Sequence, residues 1–361
     1  MFRYIAQRLV SSIPVLIGIL FVTFTLARVL PGDPCRAALG ERATDELCNA
    51  YIKRFGLDQP IITQFGIYMN DMLHGDFGRS FRYGRPVMDL MIERLPVTLE
   101  LTLAALVLSS VLGVAAGVLS AYRRNSPVDV ATMLMANVGV SMPVFWLGLM
   151  LAYIFALLLK DTPFWLAPSG RNTPGLTIPS LVEAWHVSAT QGVGYSILKF
   201  LSNLHLFNAL VTGNWAFFWD TVKHLILPAA ALCTIPMSII ARMTRSSLLD
   251  VLGQDYIRTA RAKGLPERRV IWRHAFRNAL FPIITLIGSV FPSILAGSVV
   301  IEVIFGIPGM GKLTVDAIFA RDWPVVFAVL MMASVLTVAG LLVSDMLYAW
   351  ADPRVRFQKK S

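Results

Sequence analysis

Residues 101–122 read LTLAALVLSSVLGVAAGVLSAY and contain no Asp, Glu, Lys or Arg. A helix needs about 20 mostly apolar residues to cross the hydrocarbon of a bilayer, and this stretch is long enough. Five further windows without these four residue types are 9–27, 130–159, 224–241, 278–301 and 323–344. The sequence therefore predicts an all-α polytopic membrane protein with about six transmembrane helices.

The composition supports this class. Of the 361 residues, 15% are charged and 56% are hydrophobic, whereas a soluble protein carries about 25% charged residues. The net charge of +10 could suggest a nucleic-acid partner. No basic stripe is interleaved with base-stacking aromatic residues, so we attribute the charge to cytoplasmic loops, which collect Lys and Arg. No nucleic-acid partner is expected.

Residues 200–219 also lack acidic and basic residues. They carry hydroxyl, amide and imidazole side chains, which are costly in hydrocarbon, and their aromatic cluster at 215–219 is typical of a membrane interface. We therefore interpret the segment as interfacial. The alternative is a seventh span, which would place the two termini on opposite sides.

The basic residues set the orientation of the six-helix arrangement. Arg123, Arg124, the nine Lys and Arg of residues 242–277 and the basic tail fall on one side, whereas the short connection 303–322 carries two. By the positive-inside rule, both termini are predicted to be cytoplasmic. The expected organisation is a tail and first helix (1–30), an extracytoplasmic loop (31–96), a transmembrane core (97–350) with an outer segment (160–220) and a cytoplasmic loop (244–279), and a cytoplasmic tail (351–361).

Two of the three cysteines, Cys35 and Cys48, lie in the predicted extracytoplasmic loop, in a compartment where disulfides persist. A disulfide between them and two free thiols are both compatible with the sequence, because the geometry decides. Cys233 lies in an apolar window and is interpreted as a small core residue.

Residues 306–313, GIPGMGKL, have the G-x-x-x-x-G-K spacing of a phosphate loop. Leu313 stands where that motif needs Ser or Thr to hold Mg²⁺, so we interpret the glycines as forming a tight turn. No nucleophile constellation or metal-ligand spacing is evident, and Glu302 and Asp345 lie at the ends of apolar windows. An enzyme or an ion-coupled carrier would need such groups at membrane depth. We expect no cofactor or metal, and an energy source in another molecule.

The predicted cytoplasmic loop contains DYIRTARAKGLP at residues 255–266. Asp255 at the start and basic residues near the end suit the macrodipole of a short helix, which Gly264 and Pro266 can end. A second helix is expected over 267–279. Two interpretations stay open from the residues alone. The loop is either a solvated basic segment or a docking element whose small residues, four apart, permit a partner to approach closely.

This loop resembles the EAA loop of binding-protein-dependent ABC importer permeases, in the dipeptide/oligopeptide (DppB/OppB-like) branch. Arg258, Thr259 and Ala260 stand where the generic loop has Glu-Ala-Ala, and Pro282 comes later than usual; both features are common in the peptide branch. Further matching stretches follow in the same order along the chain: PGDP at 31–34, HGDFGRS at 74–80, SMPVFW at 141–146, RMTRSS at 242–247, HAFRNA at 274–279, FGIPGMG at 305–311 and DPRVR at 352–356.

The resemblance implies the type I ABC importer permease fold, in a multi-pass protein of a bacterial cytoplasmic (inner) membrane. It implies as partners a second homologous permease, two ATP-binding cassette ATPase subunits and an extracytoplasmic solute-binding protein, with a di- or oligopeptide as substrate and no catalytic role for this chain. The ATPase-coupling residues that it implies are Asp255, Tyr256, Arg258, Thr259, Ala260 and Gly264. The alternative function is an ion-gradient-driven secondary transporter.

Overall fold

The structure, a computed structural model, describes residues 2–29, 35–36, 43–54, 56–187 and 192–351. The motifs at 31–34 and 352–356 lie outside these residues, as does nearly all of the predicted tail 351–361. In chain order the described helices are α1 (Phe2–Val29), α2 (Asp45–Arg54), α3 (Ile61–Leu73), α4 (Val87–Tyr122), α5 (Pro127–Ser141), α6 (Val144–Leu158), α7 (Leu181–Ala184), α8 (Val193–Ser202), α9 (His205–Thr212), α10 (Trp215–Leu252), α11 (Asp255–Ala262), α12 (Glu267–Ile304), α13 (Met310–Phe319) and α14 (Trp323–Ala351).

Four of these helices are long and apolar enough to cross a membrane, namely α4, α10, α12 and α14. The pair α5 and α6 passes the same test together, with a bend of 104° between them, and α1 contributes a shorter apolar stretch at Val10–Leu26. These elements coincide with the six apolar windows of the sequence. Several helices are longer than their windows. α4, for example, begins at Val87, inside the predicted outer loop 31–96.

The prediction of one helix over 130–159 is wrong, because the chain bends sharply between α5 and α6. Met142 ends α5 in an extended conformation, with φ −81° and ψ 128°. Pro143 follows it, and proline disfavours the helical conformation in the residue before it. Pro143 also lacks the N–H that would continue the helical ladder.

Residues 200–219 do not form a span. α8 and α9 have 10 and 8 residues, and at 1.5 Å per residue neither can cross about 30 Å of hydrocarbon. The aromatic cluster from Trp215 onward belongs to the first turns of α10. The seven-helix alternative therefore has no counterpart in the described residues.

Helix α10 is the centre of the larger hydrophobic core and packs most extensively on α4, followed by α12 and α5. Glycines bring α4 and α10 together. A Cβ at Gly113 would lie 2.7 Å from the carbonyl oxygen of Met237, and one at Gly117 would lie 2.5 Å from that of Ala241. Small residues four apart allow such close packing between membrane helices.

A second, smaller core joins α1 and the start of α4 to α13 and α14. Leu20 of α1 and Leu90 of α4 are buried in it. The aromatic ring of Phe24 packs between Phe65 of α3 and Phe327 of α14, with ring centroids 5.6 and 5.3 Å away. The first helix is thus attached through α14 and the residues that precede α4.

Candidate functional site

The predicted docking helix forms as α11, and its two buried side chains attach it to the spans. Ile257 is fully buried and Ala260 is 6% exposed, and both belong to the core that contains Leu248 of α10 and Ile271 of α12. Gly264, with φ +74°, takes the left-handed conformation that ends a helix, and its N–H donates to the carbonyl of Arg261. The short helix α11 is thus packed on the first part of α12 and joined to α10 by residues 253–254.

The remaining predicted docking residues lie on the outer face of α11. The side chain of Asp255 is 94% exposed and that of Arg258 is 74% exposed, with 3.2 Å between them, so this ion pair contributes little to stability. Tyr256 is 42% exposed, and its hydroxyl accepts a hydrogen bond of 2.6 Å from Nδ2 of Asn278 in α12. Thr259 is also exposed. Ala260, by contrast, faces this chain's own core.

An exposed ion pair connects α11 to the start of α12. Arg261 donates from Nη2 and Nε to the two carboxylate oxygens of Glu267, at 2.6 and 3.1 Å. This bidentate geometry bridges the turn at Gly264. The predicted second helix over 267–279 is the first part of α12, which passes through a π-helical stretch at Val270–Ala275 and continues into the span. α11 is therefore linked to the first part of α12 by this ion pair and by the short turn between them.

A buried carboxylate locks the turn between α4 and α5 onto α10. Asp129, 3% exposed, accepts hydrogen bonds from Nε and Nη2 of Arg245, each at 2.8 Å, and from the N–H of Asn125 and the hydroxyl of Ser120. Arg245 belongs to the RMTRSS stretch. Sequence reasoning missed Asp129. The local signal for it was Ser126, a helix N-cap residue that lies three positions before it.

At the opposite end, the glycines of the false phosphate loop surround a carboxylate. Glu302 is fully buried, and its carboxylate accepts hydrogen bonds from the hydroxyl of Thr98 at 2.6 Å and from the N–H of Lys312 at 3.0 Å. A Cβ at Gly309 would lie 2.4 Å from this carboxyl group, so only glycine fits. The amides at the N-terminus of a helix attract anions, and at α13 that anion is the carboxylate of Glu302. The interpretation of the glycines as a turn agrees with this geometry.

Two further buried carboxylates hold outer segments against the helix ends. Glu100 of α4 forms an ion pair of 2.6 Å with Arg171 and accepts from the N–H of Leu206 at 2.7 Å. Asp322, also buried, accepts from the hydroxyl of Ser80 in the HGDFGRS stretch. Sequence reasoning missed Glu100 and Asp322, because their basic or hydroxyl partners are distant in the sequence.

These contacts define two ends of the helix bundle. One end, called the outer end because it holds the segments predicted to be extracytoplasmic, gathers residues 79–86, 170–187, 192–206 and 305–322. The other, called the inner end, gathers residues 120–129 and 245–278. The N–H of Gly170 also donates to the carbonyl of Phe305. The segments predicted to be extracytoplasmic therefore meet at one end, and α11 lies at the other.

The structure joins Cys35 to Cys48 by a disulfide, with Cα atoms 5.3 Å apart. Cys233 is buried, as a small core residue would be. No group of three or more His, Cys, Asp or Glu side chains within the described ranges could hold a metal ion.

The apolar helices and the packing of their ends define a multi-spanning membrane protein. Residues 113–357 match the family model described as binding-protein-dependent transport system inner membrane component, and residues 1–102 match the model of its N-terminal part. The chain belongs to this family. It is therefore a multi-pass inner-membrane permease subunit of an ATP-driven importer, and the ion-gradient-driven secondary transporter is set aside.

Curated relatives match over the full length. The chain is 41% identical to the dipeptide transport system permease protein DppB of Alkalihalophilus pseudofirmus over 358 residues, which is 99% of this chain and 100% of the relative. It is 39% identical to the di/tripeptide transport system permease protein DppB of Pseudomonas aeruginosa and 38% identical to the oligopeptide transport system permease protein AppB of Bacillus subtilis, with the same coverage. The resemblance to the peptide branch is confirmed.

Proposed function

We propose that this chain forms, together with a second homologous permease, the path by which di- or oligopeptides cross the inner membrane. Two cytoplasmic ATPase subunits supply the energy, and an extracytoplasmic solute-binding protein delivers the substrate. The family match supports the importer class. The substrate class rests on the full-length relatives, whose names specify dipeptides, di/tripeptides and oligopeptides.

The observation that carries the proposal is the two-sided construction of α11. One face of α11 is buried against this chain through Ile257 and Ala260. On the other face, Tyr256, Arg258 and Thr259 are exposed to solvent. We propose that this exposed face rests in a groove of one ATPase, with Tyr256 as an aromatic anchor and Arg258 as a charged contact. Gly264, exposed at the end of the helix, leaves room for the partner's backbone. Ala260 supports the site from inside.

The anchoring gives a mechanism for coupling. Since α11 packs on the first part of α12 and follows the end of α10 after two residues, a rigid-body movement of the ATPase subunits would displace the ends of these two helices together. Packed helices shift as units rather than deform continuously. The movement would therefore change the cavity between the two permeases from outward-facing to inward-facing without any catalytic group in this chain.

The same arrangement favours a cytoplasmic location for the inner end, the basic loop 244–279 and both termini. Residues 31–96 and 160–220 would then form an extracytoplasmic cap. The disulfide between Cys35 and Cys48 agrees with an oxidising compartment on that side.

The docking role is tested at Gly264. A Cβ there meets no atom within 4 Å, but the backbone is in the left-handed region. Gly264→Leu combines bulk with backbone strain. Gly264→Ala adds the strain with little bulk, and Gly264→Asn adds bulk at a position whose conformation Asn tolerates. We expect Gly264→Leu to abolish peptide uptake in membranes and to prevent co-purification of the ATPase subunits, while the protein still inserts.

Gly264→Asn should also reduce uptake and ATPase recovery more than Gly264→Ala does, because docking responds to bulk. Normal uptake by Gly264→Leu would remove the docking role. A greater loss in Gly264→Ala than in Gly264→Asn would mean that backbone conformation, rather than contact with a partner, explains the need for glycine.

A further inference from the structure

A charged cavity of about 390 Å³ lies at the outer end of the bundle. Its walls come from the first turns of α4, from the outer segment 160–220 and from the turn before α13. The lining residues are Glu93, Arg94, Val97, Arg171, Ser180, Lys199, Ser202, Asn203 and Pro308. Its volume is in the range of pockets that hold small ligands, and none of the contacts that anchor α11 reaches it.

Positive charge exceeds negative charge around this cavity. Glu93 is shared by Arg85, at 2.6 Å, and Lys199, at 3.5 Å. Arg171 is paired with Glu100, which does not line the cavity. Among the lining residues themselves, the three cations Arg94, Arg171 and Lys199 face one carboxylate, Glu93.

Among the lining cations, Arg94 has a buried hydrogen-bond donor that lacks an acceptor. Its Nη1 donates to the carbonyl of Pro308 at 3.1 Å. Its Nε is buried without a hydrogen-bond partner, and no described carboxylate lies within ion-pair distance of its guanidinium. A buried donor without an acceptor costs free energy. Arg94 also lines the cavity, so an anion there would meet a guanidinium charge that has no carboxylate partner among the described residues.

The neighbouring cation, Arg171, adds to the positive charge around the cavity. Burial lowers the pKa of Arg171, the pairing with Glu100 opposes that shift, and the nearby charge of Arg94 lowers the pKa further. The two guanidinium groups therefore repel each other across a partly dehydrated space. The serine hydroxyls of the lining contribute less, because Ser202 already donates to the carbonyl of Leu198 and accepts from the N–H of Leu181.

We infer that this cavity is an outer subsite for a carboxylate, and that Arg94, with Lys199 and Arg171, receives the C-terminal carboxylate of the peptide as it leaves the binding protein. The inference rests on the proposed function for the choice of a peptide. The chemistry fits, because guanidinium groups bind carboxylates through paired, charge-assisted hydrogen bonds. The positive charge of the cavity lining would also attract anionic groups from solution.

The test compares dialanine with dialanine amide, which lacks only the negative carboxylate. Binding to the purified transport complex, without binding protein, is titrated by saturation-transfer difference NMR. We expect dialanine to bind the wild type at least about tenfold more tightly than the amide, as loss of a charge-assisted hydrogen bond predicts. Arg94→Gln should reduce this preference to about one. Arg94→Lys, which keeps the charge without the planar fork, should retain part of it.

Two further variants make the result interpretable. Lys199→Gln changes a second lining cation, on α8, and should lower the preference for dialanine even if Arg94→Gln disturbs the turn at Pro308. Lys160→Gln removes an exposed outer cation that does not line the cavity and should leave the preference unchanged. A merely structural role for Arg94 would lower the binding of acid and amide alike and leave their ratio intact.

Equal binding of acid and amide to the wild type, or an unchanged ratio in both Arg94→Gln and Lys199→Gln, overturns the inference. So does a loss of binding-protein association in these variants with no change in that ratio, which would assign the cations to a partner's acidic side chains. If the wild-type complex discriminates acid from amide but imports no peptide with ATP, the carboxylate subsite stands and the proposed substrate class fails.

Discussion

Truncation of the buried anchor of α11, Ile257→Ala, should uncouple the transporter. Ile257 is fully buried in the core shared by α10 and α12, and removing such a side chain costs about 2–5 kcal/mol. α11 has only eight residues, too few to remain helical by itself in water. Its order therefore depends on the packing of Ile257 and Ala260, and a loss of this size should release it from the spans.

The expected effect can be measured by amide hydrogen exchange on the complete complex in lipid nanodiscs. A loss of about 2 kcal/mol would speed exchange of the α11 amides by about 30-fold, while exchange in the middle of α10 should change much less. ATP-driven uptake should fall strongly, because a detached helix cannot move α10 and α12. Ile257→Val is the matched control, with a cost of about 0.5–1.5 kcal/mol and a correspondingly smaller effect on both measurements.

Unchanged exchange in Ile257→Ala would refute the argument that this side chain holds α11 in place. Faster exchange with undiminished uptake would show that anchoring exists but does not transmit the movement.

Two other predictions concern the outer end. Gly309→Ala places a Cβ 2.4 Å from the Glu302 carboxyl group and should lower stability by about 1–3 kcal/mol, seen as a lower Tm of the complex, whereas Gly194→Ala, with open space around its Cβ, should not lower it. His205 has its pKa lowered to about 3, first by burial and then by the charge of Arg171. An unfolded His takes up a proton below about pH 6.5 while the folded one stays neutral, so stability is full above that pH and falls as the pH drops toward 3. His205→Phe should flatten the dependence of Tm on pH over this range, and an equally steep profile in that variant would assign the dependence to other groups.

The apolar windows were sufficient to locate the spans, because burial in lipid demands long apolar helices whatever the packing. They were poor guides to helix ends. α4 begins at Val87 rather than near residue 101, since Glu93 and Glu100 lie within the helix and pair with Lys199 and Arg171 of the outer segment. A rule that stops a helix at charged residues cannot anticipate partners supplied by remote parts of the chain.

The loop at residues 255–266 was more predictable because its signals are local. An acid at the start, a glycine at the end and a proline beyond were enough to place a helix that the structure gives as Asp255–Ala262. Which face of this helix is buried against the chain was less predictable. Ala260 was expected to admit a partner, but its side chain is buried against this chain, and only the position of the neighbouring spans decides which face is covered.

The bend at Pro143 was only partly predictable from the sequence. The proline was visible in the sequence, but membrane helices often tolerate proline because neighbouring groups satisfy the freed backbone. Only the extended conformation of Met142 shows that the chain breaks there. The roles of the four buried carboxylates Glu100, Asp129, Glu302 and Asp322 could not be predicted either, since each is satisfied largely by residues on other helices or loops.

The most direct test of the whole account is a reconstitution in which subunits are omitted one at a time. Vesicles that contain this chain, the second permease, the ATPase subunits and the binding protein should accumulate labelled dipeptide when ATP is supplied. Vesicles that contain only this chain should neither hydrolyse ATP nor accumulate the dipeptide, with or without an ion gradient. Uptake or ATP hydrolysis by this chain alone would contradict the claim that it is a passive half of the path, moved through α11 by another molecule.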